Sequence, residues 1–347
     1  MASGTSSRTG DLVKNLSAAQ RMATHDLPQE AILKSLRYAE MDYRQSNIVN
    51  PSHSSYGWIF EEAGTTKRRP STRYVQWLRE DDGIFWITGK AGSGKSTLMK
   101  HIYTDERTHA ALRSWANCRK LLTASHYFWY AGSQVEKSYA GLIRSMLYKI
   151  LFSCPDLIKS VCKSRWHDEL GGRDTSVLPW STDELHECLD ALVSENLEFG
   201  GKRICFCFFI DGLDEFDGDR EVIDALVRLS QSGHTKICAS SRPWIRFTDA
   251  FSASKRQGNY LELHQHTKGD IATYVEKELG GTLSNLSEVY GNWELLVREV
   301  IDRSEGVFLW ATLVVKKELR PMLEDRESMS TMQERSCDVP SGMVSAT

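Results

Sequence analysis

Eight consecutive residues, Gly89-Lys90-Ala91-Gly92-Ser93-Gly94-Lys95-Ser96, satisfy the spacing G-x-x-x-x-G-K-[ST] in full, and no other segment constrains the chain as much. They follow the apolar run Ile84 to Thr88 and precede Thr97-Leu98-Met99, so the glycines fall where a strand gives way to a helix. Glycine lets the backbone wrap closely around phosphate oxygens and aim its N–H groups inward, while the helix start adds a positive dipole end. Gly89, Ala91, Gly92, Ser93, Gly94, Lys95, Ser96 and Thr97 are therefore the candidate residues for a nucleoside triphosphate, ATP or GTP. Lys95 supplies a point charge to the β- and γ-phosphates, and the Ser96 hydroxyl serves Mg²⁺. A chance match of this spacing arises on the order of once per hundred chains of this length, and the strand and helix around it lower that further.

A second signal lies downstream. Ile204-Cys205-Phe206-Cys207-Phe208-Phe209-Ile210 is a continuous apolar run, as expected of a strand buried on both faces, and it ends in Asp211-Gly212-Leu213-Asp214-Glu215. A carboxylate at the C-terminal end of a parallel strand faces the same crevice as a phosphate loop. Asp211 is then the second metal candidate beside Ser96, holding Mg²⁺ through its water shell. Asp214 and Glu215 are candidates to polarise an attacking water. The next apolar run, Lys236 to Ala239, ends in Ser240-Ser241-Arg242, and a strand between the other two would aim Arg242 at the γ-phosphate. The competing readings are a solvated acidic turn and a surface arginine pinned before Pro243.

Between Gly83 and Leu263, short apolar runs alternate with helical patterns, the sequence form of a parallel sheet with crossover helices. The strand candidates are Ile84 to Thr88, Ser125 to Tyr130, Ile204 to Ile210, Lys236 to Ala239 and Tyr260 to Leu263. Leu142, Met146, Ile150 and Leu185, Leu189, Leu192 recur at helical spacing, and Ser181 with Glu184 forms a candidate capping box. We divide the chain into a disordered tail (1–30), a helical lead-in and linker (31–80), an α/β core (81–266), a helical lid (267–324) and a polar tail (325–347). The linker carries a basic, proline-punctuated stretch from Lys67 to Ser71.

Thr267-Lys268-Gly269-Asp270 fits the guanine-recognition spacing [NT]-K-x-D, but the D-x-x-G that accompanies it is missing, since Asp214 stands in the glycine position. The alternative reading makes Thr267 a helix N-cap with Asp270 in the first turn. Base identity stays open between ATP and GTP.

Composition narrows the partners. With 43 basic and 46 acidic side chains the formal net charge is -3, which gives no global pull toward nucleic acid or anionic lipid. The eight cysteines include no C-x-x-C pair and read as reduced packing residues of a cytoplasmic protein. The longest apolar run, Gly306 to Val315, is too short to span a bilayer, and the N-terminus has no secretory signal pattern.

Taken together, these residues resemble the NACHT class of STAND NTPases, particularly its nephrocystin-like form in fungal proteins. The resemblance covers about residues 33 to 320. It is carried by Leu36, Tyr38, Met41, Arg44 and Ile48 ahead of Trp58-Ile59-Phe60; by Gly83 to Ile87 and Gly89 to Met99; and by Phe209 to Phe216, Ile237 to Trp244 and Gly306 to Leu313. It implies a three-layer α/β P-loop domain of the class with an added catalytic acid, strand order 5-1-4-3-2, plus a helical lid. It also implies a slow regulatory NTPase, off with diphosphate and on with triphosphate. In the triphosphate state such a switch forms homo-oligomers in immunity-like or incompatibility responses. Phosphate binding then falls to Gly94, Lys95, Ser96 and Thr97, Mg²⁺ to Ser96 and Asp211, water activation to Asp214 and Glu215, and γ-phosphate sensing to Arg242. The rivals are a nucleotide-binding scaffold without turnover, a small-molecule kinase and a nucleic-acid motor. The last two lack a sign of an acceptor pocket or of a basic second domain.

Overall fold

The computed structural model describes residues 28–51, 55–61, 72–194, 197–218, 220–283, 293–324 and 331. Most of the expected N-terminal tail, the stretch Lys67 to Ser71 and nearly all of the expected C-terminal tail lie outside them.

Six strands form the sheet: β1 (Gly83–Thr88), β2 (Lys120–Tyr127), β3 (Glu198–Phe199), β4 (Lys202–Asp211), β5 (Thr235–Ser241) and β6 (Tyr260–Glu262). Five of them run parallel in the order β2-β4-β5-β1-β6, while β3 pairs antiparallel with β4 at its start. Counting the five strands expected from the sequence, this is the order 5-1-4-3-2. β3 escaped that reading because it is two residues long, closed onto β4 by Gly200 and Gly201, both at positive φ as a tight hairpin turn requires. The second strand also lies earlier than expected. It covers Lys120–Tyr127 in place of Ser125 to Tyr130, because the chain leaves the sheet at Phe128, whose amide makes a last bond to the Asp211 carbonyl at 3.0 Å.

Alternation along the strands sorts the core into two apolar clusters, one on each face. On one face lie Ile84 and Trp86 of β1, Phe206, Phe208 and Ile210 of β4, and Ile237 and Ala239 of β5. They are covered by α1 (residues 28–36) and by the helices Tyr139–Ser153, Thr182–Leu192 and Glu221–Ser230. The helix Thr182–Leu192 opens with the expected capping box, Ser181 and Glu184 exchanging side-chain and backbone bonds. On the other face lie Phe85 and Ile87, Cys205, Cys207 and Phe209, and Cys238, covered by Tyr74, Trp77, Leu98, Met99, Ile102 and Leu112. Each buried phenylalanine of β4 contributes roughly 1.5–3 kcal/mol of transfer free energy. Six of the cysteines are buried free thiols and Cys118 is an exposed one.

After β6 the described segments are mainly helical. Lys268–Leu283, Trp293–Arg303 and Phe308–Leu313 share a third apolar cluster built from Ile271, Val275, Leu296, Val300, Trp310 and Val314, among others. Among the described residues no helix is long and apolar enough to cross a membrane.

Candidate functional site

The register of the parallel strands decides what meets at their carboxyl ends. Thr88, the last residue of β1, lies opposite Ser241 of β5, and Ile210 of β4 lies opposite Ala239. The loop 89–94, the acidic turn after β4 and the polar turn after β5 therefore open on one crevice.

The loop turns on two glycines with left-handed backbone. Gly92 has φ 70°, and Gly94 has φ 95° where it starts α4, the helix Lys95–Thr104. A Cβ on Gly94 would press on the Tyr56 hydroxyl, and the left-handed backbone strains any other residue there. The Lys95 ammonium folds back onto the carbonyls of Gly89 and Lys90 at 2.9 and 3.1 Å, holding the loop in a ring. Burial lowers the Lys95 pKa, and the charges of Asp214, Asp211 and Glu215 act against that shift. Ser93 is fully buried, and its hydroxyl has no hydrogen-bond partner among the described residues. Ser96 and Thr97 stand in the first turn of α4, where helix geometry leaves the amides without intrahelical acceptors.

Asp211 ends β4 and is almost fully buried. Its Oδ1 accepts the Ser240 hydroxyl at 2.5 Å, and the Ser240 Oγ in turn accepts the Gly212 amide at 3.0 Å. Ser240 thus orients the carboxylate from the neighbouring strand. Burial pushes the Asp211 pKa up, while hydrogen bonds from Ser240 and Ser96 and the charges of Arg44 and Lys95 pull it down. Ser96 is among the groups that act on Asp211, so the two residues expected to hold a metal lie at the same edge.

Asp214 and Arg242, expected to act separately, hold each other. The Asp214 carboxylate makes an ion pair to Arg242 Nε at 3.0 Å and accepts the Arg242 amide at 2.9 Å. Glu215 Oε2 accepts the Tyr130 amide at 2.9 Å. Burial raises the Glu215 pKa despite that bond, and the charge of Asp211 adds to the rise. Arg44 was not among the candidate site residues. It reaches the acidic edge from the lead-in, and no spacing pattern connects it to Asp211.

The decoy also resolves. Asp270 stands in the first turn of Lys268–Leu283 as expected, but it is almost fully buried, and its Oδ2 accepts from Trp58 Nε1 at 2.8 Å and from the Tyr56 amide at 3.2 Å. It ties the lead-in to the C-terminal helices. The Thr267 hydroxyl does not act as the expected cap. It donates to the carbonyls of Gly306 and His264.

Residues 64–242, from the linker through the phosphate loop and the acidic edge to Arg242, match the family described as nephrocystin 3, N-terminal. The chain belongs to the nephrocystin 3 N-terminal family. No curated protein matches this family member. Among solved structures, a chain from the structure of Drosophila ORC bound to DNA aligns at 14% identity and a TM-score of 0.38. The alignment covers 76% of the nephrocystin-family chain and 63% of the ORC chain.

Proposed function

We propose that this protein binds a nucleoside triphosphate, ATP or GTP, with Mg²⁺ in the crevice between the β1 loop and the ends of β4 and β5, and hydrolyses it slowly as a switch of the NACHT class. One observation carries this reading: Lys95 and Ser96 at the start of α4 and Asp211 at the end of β4 meet at one crevice, where the charges of Lys95 and Asp211 act on each other.

The residues present fit the metal and the nucleotide. Among the described residues no three His, Cys, Asp or Glu side chains converge on a metal position, which excludes an all-protein cage there but suits Mg²⁺ held by one carboxylate, one hydroxyl, waters and phosphates. The charges of Asp214, Asp211 and Glu215 all act on Lys95, with that of Arg242 against them, so the carboxylates gather at the loop. Ser96 and Asp211 are the residues that would hold the metal. When bound, Mg²⁺ neutralises charge that develops on the phosphate oxygens. The amides of Gly92 to Thr97 and the Lys95 ammonium bind and orient the phosphates. Glu215 positions water and accepts its proton, because burial raises the basicity of its carboxylate and Asp214 is engaged by Arg242. Arg242, a third exposed and steered by Asp214, contacts the terminal phosphate.

The proposed consequence of the triphosphate state is homo-oligomerisation in an immunity-like or incompatibility response. The second reading, a nucleotide-binding scaffold without turnover, draws on the engagement of both Asp214 and Glu215 by other groups. Two measurements test the main reading. Mass spectrometry of nucleotide released from the purified protein should find ATP, GTP or their diphosphates. Lys95→Ala should weaken triphosphate binding at least tenfold in calorimetry, about 1.4 kcal/mol or more. Unchanged affinity in that variant removes the loop from the binding site.

A further inference from the structure

The lead-in carries a basic residue into the crevice. Helix α2 (Tyr43–Asn47) lies along β2, far upstream of the phosphate loop in sequence, and is fastened at both ends. At its start Asp42 pairs with Lys149 at 3.3 Å, and Lys149 donates to the Ser125 carbonyl of β2 at 2.7 Å. At its end the Ile48 side chain enters the core and its carbonyl accepts from Lys100 of α4 at 2.6 Å. One fastening is thus to the helix that begins at the phosphate loop.

Between these points Arg44 stacks its guanidinium toward the Trp129 ring, 5.9 Å from the centroid. Trp129 precedes Tyr130, whose amide holds Glu215, so the cation stands beside the same acidic edge. Its charge acts on both Asp211 and Glu215, and on Asp211 it outweighs that of Lys95. Yet Arg44 makes no ion pair within 4 Å among the described residues, and its Nε is buried without a hydrogen-bond partner. A guanidinium carries five N–H donors in a fixed fork. Leaving a buried donor unmade costs about 1–3 kcal/mol, so a guanidinium whose Nε is left open beside this edge suits an acceptor that arrives. The acceptor must be anionic and able to reach the Asp211 edge, and a terminal phosphate meets both conditions.

We propose that Arg44 is an arginine supplied in cis by the lead-in that contacts the terminal phosphate, so that α2 distinguishes triphosphate from diphosphate. The proposal rests on the nucleotide reading above and adds a residue to it. Lys95 and the loop amides serve both nucleotides, whereas Arg44 engages the group that only the triphosphate has. Docking of the lead-in on β2 then becomes linked to the state of the nucleotide, because a ligand shifts an equilibrium only by its differential affinity for the two states.

The test is calorimetry in Mg²⁺ with the β,γ-imido analogues of ATP and GTP and with the matching diphosphates, on the whole chain. Arg44→Ala should lower triphosphate affinity at least tenfold and diphosphate affinity less than twofold, and Arg44→Lys should recover part of the loss. Arg44→Gln runs alongside and decides the matter if the alanine variant does not fold. A merely structural arginine would move both affinities together, and that result, like no change in either, overturns the proposal while leaving the nucleotide site intact. A wild type that binds neither nucleotide overturns the reading of the site itself, and this inference with it.

Discussion

Asp214 grips Arg242 at two points, one oxygen on the guanidinium at 3.0 Å and the other on the backbone amide at 2.9 Å. The carboxylate is nearly buried and the arginine a third exposed, so the acid holds both the backbone amide and the Nε of the arginine. Such a pair behaves as one unit. In urea unfolding, Asp214→Ala and Arg242→Ala should each destabilise, and the double variant should lose less than their sum by about 1 kcal/mol. Exposure of the arginine keeps that coupling at the low end. Additive losses would mean that the two residues act independently.

Asp211 should act through the metal. Asp211→Asn keeps the shape and one acceptor for Ser240 but removes the charge. Triphosphate affinity in Mg²⁺ should then fall several-fold more than affinity in EDTA. Equal losses in the two buffers would assign Asp211 a structural role only.

For Glu215 the readout is turnover. Glu215→Gln should keep triphosphate bound and slow its hydrolysis at least tenfold in single-turnover assays, since the change removes a transition-state interaction and little ground-state binding. The wild type should itself be slow, on the order of one turnover per hour to one per minute without an arginine from a partner protein. Identical rates would favour the scaffold.

His126 makes stability depend on pH. Burial, with the positive charge of Lys149, lowers its pKa from 6.5 to about 3, and its Nε2 has no hydrogen-bond partner. The folded ring stays neutral while the unfolded ring takes a proton below pH 6.5, so the unfolded state binds more protons and stability falls as pH drops from 6.5 toward 3. The slope from this one group is at most about 1.4 kcal/mol per pH unit. Urea midpoints of wild type and His126→Phe, compared at pH 7 and pH 5, should converge or cross as the wild type loses stability faster. Parallel pH profiles would remove His126 as the cause.

β1, β4 and β5 were legible as strands because they are apolar on both faces, and a strand buried on both sides reads as an unbroken run, whereas their order came with the family resemblance. β2 was harder to place. It lies at the edge of the sheet, its early residues Lys120, Leu121 and Thr123 are exposed or half-buried, and the aromatic run Tyr127 to Tyr130 is the stronger apolar signal. The loop residues and Asp211 were legible from spacing and strand-end position. The grip of Asp214 on Arg242 was not, because two residues on successive strand ends give no sign of whether they face a ligand or each other. Nor was the place of Lys236, a charged residue at the start of β5 that is fully buried, with its ammonium on the Trp77 and Leu78 carbonyls and 4.6 Å from the Trp115 ring centroid. Sequence patterns put lysine at the surface, and only three-dimensional packing supplies the aromatic cover that lets it stay inside.

The bond from Trp58 to Asp270 has a bearing on where this protein can be cut. The family match starts at residue 64, yet Trp58 and Tyr56, just before it, hold Asp270, and Tyr56 also reaches Gly94 of the phosphate loop. At the far end Leu309 donates its amide to the Gly92 carbonyl at 3.0 Å, and Glu305 pairs with Lys90. A piece trimmed to the matched borders would lack Tyr56 and Trp58 at one end and β6, Asp270 and Leu309 at the other, stripping an aromatic cover and a strand from the sheet. The smallest cooperative folding unit therefore starts before Tyr56 and runs past Leu309, wider at both ends than the stretch by which sequence similarity detects it.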